Sequence, residues 1–381
     1  MKITGIICEY NPLHRGHQKQ IRQIRQDLGA NTGIVCLMSG QFVQRGEPAI
    51  LDKMYRAKAA ILAGADLVLE LPVTIAVSSA EGFASGGVSI LAPFCDYLSF
   101  GAETNDTAQL MQTAKILLSD NFKTHLRSAL DTGISFPAAR QAALESMGAD
   151  GSILETPNNI LGVEYCKAIL LQRTKMQPRP IKREGDYHST ELDFENPSAT
   201  ALRNSFADNH WIPYVPKEVI PCYEKAEIHS LFAGERAILS KLRCMSEEEF
   251  SCVPYGSEGL WRKFMHAVNR YATIEEIINA VKSKRYTRSR IQRMLICAFL
   301  GITTDDLDAP TPYTRVLAFN DCGREILNSV KHLGTFVNIG DKQDHPYQAL
   351  ENRCSDLYGL FAANHIEPAG LESTRRVYYH K

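Results

Sequence analysis

The chain lacks a charge excess: 42 Lys and Arg against 43 Asp and Glu leave a formal net charge of -1 over 381 residues. That excludes a global field drawing the molecule to nucleic acid, so any such affinity must be local. Long apolar runs are missing too. No stretch comes near the roughly 18 residues that a bilayer span requires, and no membrane association is expected. The ten cysteines stand singly, at 8, 36, 95, 166, 222, 244, 252, 297, 322 and 354. Without a CxxC pair, neither a structural zinc site nor a disulfide framework is indicated. Most are expected to be buried thiols acting as small apolar side chains. Repeats and low-complexity tracts are absent. The first residues read as strand at once, without the basic and apolar regions of a secretory signal, so a cytoplasmic location is the expectation. What is there is an ordinary soluble composition, 44% hydrophobic and 22% charged, long enough for two or three domains.

The stretch 5–17, GIICEYNPLHRGH, organises the rest. Residues 3–7 form a β-prone run. A polar turn follows, and then His14, Gly16 and His17 stand where a helical pattern begins, with apolar residues at Ile21, Ile24 and Leu28. Residues three apart share one face of a helical turn. Exposed N–H groups at a helix start favour anions, and a glycine lets a phosphate come close to the backbone. Further strands are expected at 32–38, 66–71 and 97–100, with helices at 52–63 and 78–91 between them. This alternation predicts βαβ units on a parallel sheet, with the loops after the strands gathered at one edge. Helices are expected at 106–118, 122–130, 136–147 and 163–172. A break is expected over 176–180, then a strand near 181–185, a polar loop at 193–198 and a short helix at 199–206. Three prolines within 213–221 suggest a linker. The expected organisation is a Rossmann-like α/β domain, 1–212, and a mainly helical domain, 213–381, with one β-prone run at 315–319.

Several residues carry candidate chemistry. His14 and His17 can donate hydrogen bonds to phosphate oxygens. The alternative is a packed His17 and a solvated His14. Lys182 and Arg183 can reach the same sheet edge. Ser198, Thr200 and Arg203 stand around the start of a helix, where the hydroxyls either hold phosphate or simply cap. Gln41 and Arg45, after the second strand, can take a small carboxylate or pyrophosphate, or belong to a plain surface loop. Gly101 can let adenine or ribose lie on the sheet edge, or serve as a turn glycine. Asn159 can read adenine or ribose, or form an Asx turn. Residues 282–293, KSKRYTRSRIQR, hold six Lys or Arg: Lys282, Lys284, Arg285, Arg288, Arg290 and Arg293. Such a patch neutralises phosphates, and Tyr286 within it can stack on an unpaired base. A solvated helix face is the alternative.

His14-Arg15-Gly16-His17 resembles the HxGH signature of the nucleotidyltransferase-like α/β superfamily, which activates acids or phosphates by attack on the α-phosphate of ATP. Pro197-Ser198-Ala199-Thr200-Ala201-Leu202-Arg203, about 185 residues later, resembles that superfamily's second, phosphate-holding signature. Ala199 departs from the usual second serine, which implies phosphate contacts through Ser198, Thr200 and backbone N–H groups. The separation implies an insertion. GIICEYNPLHRGH, SGQFVQRGEPAI with Lys53 and Arg56, AEGFASGGVSIL, NNILGVEY and KRYTRSRIQRML together resemble the bacterial tRNA(Met) cytidine acetate ligase family, along essentially the whole chain. The resemblance implies acetate activation to acetyl-adenylate, and then acetyl transfer to N4 of the wobble cytidine of elongator tRNA(Met). It implies ATP contacts at Ile7, Cys8, Glu9, Tyr10, Asn11, Pro12, Leu13, His14, Arg15, Gly16, His17, Gln18, Lys19, Gln20, Gly101, Asn159, Lys182 and Arg183. Among these, His14, His17, Lys182 and Arg183 would serve the chemistry. Mg2+ would ride mainly on the nucleotide, since no carboxylate cluster is visible and no protein metal site is expected. DNA is not an expected partner. Two other readings compete: a small-molecule acid–amine ligase similar to pantothenate synthetase, and a nucleotide-regulated RNA-binding protein.

Overall fold

The computed structural model describes residues 1–183, 197–206 and 208–381. Glu184, Gly185 and the expected polar loop up to residue 196 lie outside the described residues.

Ten strands are described: β1 Ile3–Cys8, β2 Gly33–Ser39, β3 Phe42–Val43, β4 Glu47–Pro48, β5 Leu67–Leu71, β6 Tyr97–Ala102, β7 Gln177–Lys182, β8 Thr314–Phe319, β9 Phe336–Asn338 and β10 Tyr378–Tyr379. The main sheet has eight strands in the order β10-β8-β5-β2-β1-β6-β7, with β9 also on β8. The block from β5 to β7 is parallel, and β8 joins β5 antiparallel. Within β2, Val35 and Leu37 enter one core while Ile34, Cys36 and Met38 enter the other. That is the period-two consequence of a strand covered on both faces. One face is covered by helices Ala80–Leu91, Thr107–Leu118 and Pro157–Leu171. The other is covered by α1 Arg15–Leu28 and α2 Lys53–Leu62. A separate helical core gathers around Leu260–Arg270, Ile274–Val281 and Arg288–Leu300.

The break expected over 176–180 is instead the body of β7. Pro178 and Pro180 are tolerated there because β7 is an edge strand whose outer side needs no N–H partner. The division at residue 212 is not the one that the sheet makes, because β8, β9 and β10 from the C-terminal part complete it. Nor is 213–221 a loose linker. Val215 and Val219 are fully buried, and the Tyr223 hydroxyl accepts the Leu13 N–H at 3.0 Å. Among the described residues, no helix is long and apolar enough to cross a membrane.

Strand β2 lies on one side of β1 and β6 on the other, so the chain reverses direction of growth at β1. β1 and β6 pair only at Thr4↔Tyr97 and Gly5↔Leu98. Beyond those pairs the C-terminal halves of the two strands leave a crevice, the place where open α/β sheets bind ligands.

Candidate active site

That crevice opens into a cavity of about 550 Å³, within the size range of small-molecule sites. Its floor is Ile6, Ile7 and Cys8 from β1, Glu9 just after that strand, and Phe100 and Gly101 from β6. His14, Gly16, His17, Lys19 and Gln20 line one side, and Lys182 and Arg183 another. Ser198, Thr200 and Arg203 line a third. Two sequence signatures far apart in the chain thus face one space. Arg203 ties them: one N–H donates to the Asn11 carbonyl at 2.8 Å and another to the Thr200 hydroxyl at 3.0 Å.

The histidines are set by the start of α1. His14 is its N-cap, and its Nδ1 accepts the Gly16 N–H at 3.1 Å. The His14 N–H in turn donates to His17 Nδ1 at 3.2 Å. Gly16 makes this possible, since a Cβ there would stand 3.0 Å from the His14 ring. The rings stack with centroids 3.8 Å apart, and the Tyr10 ring meets His17 edge-on at 4.9 Å. Because both Nδ1 atoms accept, each neutral ring carries its proton on Nε2. Burial, with the Arg183 charge adding to it, lowers His14 to about 3. His17 is lowered well below the usual value by burial and then by His14 and Arg183. His14 Nε2 is buried and has no hydrogen-bond partner among the described residues. The two rings therefore stand as neutral imidazoles, with Nε2–H as the donor of each, rather than as imidazolium charges.

Arg56 fixes the two neighbouring strand exits. It is fully buried and donates to the carbonyls of Leu51 at 2.8 Å, Glu9 at 2.7 Å and Ser39 at 3.0 Å, and also to that of Gly40. Its side chain thereby supplies partners for carbonyls that β1 and β2 leave unpaired as they end.

Some expected residues stand elsewhere. Gln41 does not line the cavity. It is buried, with its Nε2 on Asp52 at 2.6 Å and its Oε1 on the Lys53 N–H at 3.1 Å, so it braces the start of α2. Asn159 is spent on the loop after β6: its Oδ1 accepts the Glu103 and Thr104 N–H groups, both at 3.0 Å. Its neighbour Asn158 lines the cavity instead. Pro12, Leu13, Arg15 and Gln18 also fall outside the lining. Gly101 has the stem of Arg183 against it, 2.9 Å from where a Cβ would be, so what its missing side chain admits is that arginine. Ser198 caps its helix by accepting the Ala201 N–H at 3.0 Å. Tyr165, Leu161, Phe83, Asn105 and Gln44 line the cavity without having been singled out from the sequence. For Asn158, Leu161 and Tyr165 a signal existed, since their spacing of three and four puts them on one helical face.

Arg45 lines the cavity from the β3–β4 hairpin, which also touches the basic helix. Gln292 donates to Glu47 at 2.8 Å. Gly46, at a φ of +80°, lies so close to Gln292 and Arg293 that a Cβ would meet their backbone at 2.5 Å. In the basic run, Arg285 pairs with Glu258 at 2.6 Å and Arg288 with Glu275 at 2.6 Å. Arg290 donates to the Tyr255 carbonyl at 2.8 Å. Arg293 lies over the Tyr255 ring at 5.1 Å, with its Nε buried and without a hydrogen-bond partner among the described residues. Tyr286 is half-buried, with the Arg290 guanidinium 5.1 Å from its ring centre. Lys282 and Lys284 are exposed.

A doubly wound parallel sheet, a crevice at its switch point and two imidazoles at the first helix start define a nucleotidyltransferase-like protein. In agreement, the family described as HIGH Nucleotidyl Transferase matches residues 1–372. More narrowly, the chain belongs to the tRNA(Met) cytidine acetate ligase family. A relative of that name from Acetivibrio thermocellus is 34% identical, with 99% of each chain covered. Another, from Clostridium novyi, is 38% identical over 87% of this chain and 88% of its own. Among solved structures, apo Thermotoga maritima TmcAL superposes with a TM-score of 0.90 at 29% identity, covering 100% of this chain and 99% of that one. TmcAL from the same organism bound with alpha-thio ATP gives a TM-score of 0.86, at the same identity and coverage.

Proposed function

We infer that this protein joins acetate to the wobble cytidine of elongator tRNA(Met) at the expense of ATP. Acetate attacks the α-phosphorus, pyrophosphate leaves, and the mixed anhydride passes its acetyl group to the cytidine N4, giving N4-acetylcytidine and AMP. The observation that carries this reading is the pair of neutral imidazoles facing Ser198, Thr200 and Arg203 across the β1–β6 crevice.

In this reading the triphosphate lies over the exit of β1. Nε2–H groups of His14 and His17 donate to phosphate oxygens and strengthen as charge moves onto pyrophosphate. Lys182 and Arg183 lie at the nucleoside end, and Arg203 with Thr200 at the β and γ phosphates. Arg45 is the remaining candidate for acetate or pyrophosphate, now that Gln41 is seen to brace α2. Among the described residues, no group of three or more His, Cys, Asp or Glu is placed to hold a metal ion. Mg2+ is proposed to enter on the nucleotide and to offset phosphate charge there. The basic run is proposed to bind tRNA, chiefly through Lys282, Lys284, Arg285 and Arg288, with Tyr286, Arg290 and Arg293 shaping the surface. Its surface ion pairs are worth at most about 1 kcal/mol each, so phosphates can displace the glutamates. The proposed place of action is the cytoplasm.

Incubation with ATP, labelled acetate and total tRNA, followed by nucleoside analysis, tests the reading. Label in acetylcytidine is expected. Label only in a small amide would contradict it and favour a small-molecule ligase.

A further inference from the structure

A carboxylate in a cavity built for a triphosphate is out of place, because it repels the very ligand that the site must hold. Glu9 is such a group. It follows β1 directly and lines the cavity floor beside His14 and His17. It is held there: the Gln44 N–H donates to Glu9 Oε1 at 2.8 Å, while the Glu9 carbonyl takes an Arg56 N–H at 2.7 Å. The residue that holds its carboxylate belongs to the β3–β4 hairpin, whose far side packs on Gln292 and Arg293 of the basic helix. Glu9 is thus linked through one short hairpin to the surface where RNA is proposed to bind.

We propose that Glu9 is the base that receives the proton of the acceptor amine in acetyl transfer, and that it also recognises cytosine by accepting from its N4–H₂ group. The inference rests on the function proposed above. A carboxylate is the natural acceptor for cytosine N4. That amine is a weak nucleophile because its lone pair is delocalised into the ring. In the step, the N4 lone pair forms a bond to the acetyl carbonyl carbon, and the bond from that carbon to the phosphate oxygen breaks. AMP leaves with the bonding electrons, and one N4 proton passes to the Glu9 carboxylate, which later yields it to solvent. The amide keeps its second N–H. Nothing else is consumed.

The groups facing Glu9 suit this work. Arg45 on the hairpin, Arg56 on α2 and Arg203 beyond Ser198 favour the carboxylate form. Burial is the larger effect and raises the group from its ordinary value. Tyr165 and Cys8 lie near it and are both held protonated by burial, so neither competes for the proton. A base pushed upward in this way is closer to the operating pH, where proton transfer is most effective.

The test supplies synthetic acetyl-adenylate and tRNA(Met) to the full-length enzyme and follows a single turnover, bypassing ATP. Glu9→Gln is expected to slow transfer about 10²-fold or more, and to lose more in transfer than in acetate-dependent pyrophosphate release. The wild-type transfer rate is expected to fall as pH drops through the Glu9 range, and Glu9→Gln to flatten that limb. Glu9→Asp is expected to restore part of the rate and keep a limb. Transfer by Glu9→Gln within about threefold of wild type, or an unchanged acid limb, would overturn the assignment. If Glu9→Gln does not fold, Glu9→Asp decides, because a limb unmoved in it would overturn the assignment equally. A wild-type enzyme that makes no acetylcytidine would instead overturn the underlying activity.

Discussion

His14 does two jobs with one ring. Nδ1 closes the first turn of α1, and Nε2 remains as a donor with no partner among the described residues. His14→Ala is therefore expected to cost about 1 kcal/mol of stability through the lost cap, and to lose pyrophosphate release as well. His17→Ala keeps the His14 Nδ1 cap but removes the acceptor of the His14 N–H, so a stability loss of no more than about 1 kcal/mol is expected, while acetate-dependent pyrophosphate release falls about 10²-fold or more. Undiminished release in His17→Ala would remove the imidazole pair from the chemistry. The pH dependence follows from burial. With His14 lowered to about 3, the unfolded chain binds a proton that the folded chain refuses. This contribution to stability is complete above the unfolded value near 6.5 and is lost as pH falls toward 3. The slope of urea-melt stability against pH between those limits is expected to be smaller in His14→Asn, which can still cap. An identical slope in both proteins would show that His14 does not stay neutral.

Elements decide what the sequence could and could not tell. The HxGH segment was legible because its residues act locally: a strand end, a cap and a helix start occupy neighbouring positions. The sequence shows only the end of β7, at Ile181 and Lys182, because prolines argue against strands unless the strand is an edge, and edge position is a property of the whole sheet. For Gln41 and Asn159 the sequence leaves both a ligand-binding and a plain loop or turn role open, because polar residues after strands serve either. Their partners, Asp52 and Lys53 for one and Glu103 and Thr104 for the other, are visible only in three dimensions. The β3–β4 hairpin carries the clearest expectation at this scale. Gly46→Ala adds a Cβ 2.5 Å from the backbone of the Arg288–Leu300 helix, at a positive φ. It is expected to spread hairpin from helix and to lower tRNA acetylation more than pyrophosphate release. Equal loss of both in steady-state assays would mean that the hairpin serves only the fold.

At the scale of the molecule, the sheet and the C-terminal part are one body. Lys53 on α2 bonds Glu70 of β5 at 2.7 Å and Glu372 at 2.6 Å, and Arg315 of β8 pairs with Glu351 at 2.9 Å and with Glu372. Arg375 reaches Glu372 at 2.7 Å and also Asp52. These charges are almost fully buried, and the Lys53–Glu372 and Arg375–Asp52 pairs join the C-terminal segment to α2 and its start. Removing one member strands the others without solvent, so Lys53→Ala is expected to cost about 3–5 kcal/mol in denaturant melts. A loss below 1 kcal/mol would show that water enters the network. A division at residue 212 looked natural from the prolines, but it cuts through this network and the sheet alike. A charge balance near zero supplies no global field for nucleic acid, so the proposed RNA contact falls to the local basic run. Replacing Lys282, Lys284 and Arg288 with glutamine is expected to weaken tRNA binding and flatten its dependence on salt by about one unit of slope per lost phosphate contact, with ATP affinity held. The account's central claim is that a triphosphate sits in the β1–β6 crevice under the two imidazoles. A crystal structure with a non-hydrolysable ATP analogue tests it most directly. The account expects phosphate oxygens within about 2.7–3.2 Å of Nε2 of His14 and His17. An analogue bound elsewhere, with that crevice left to solvent, would contradict it.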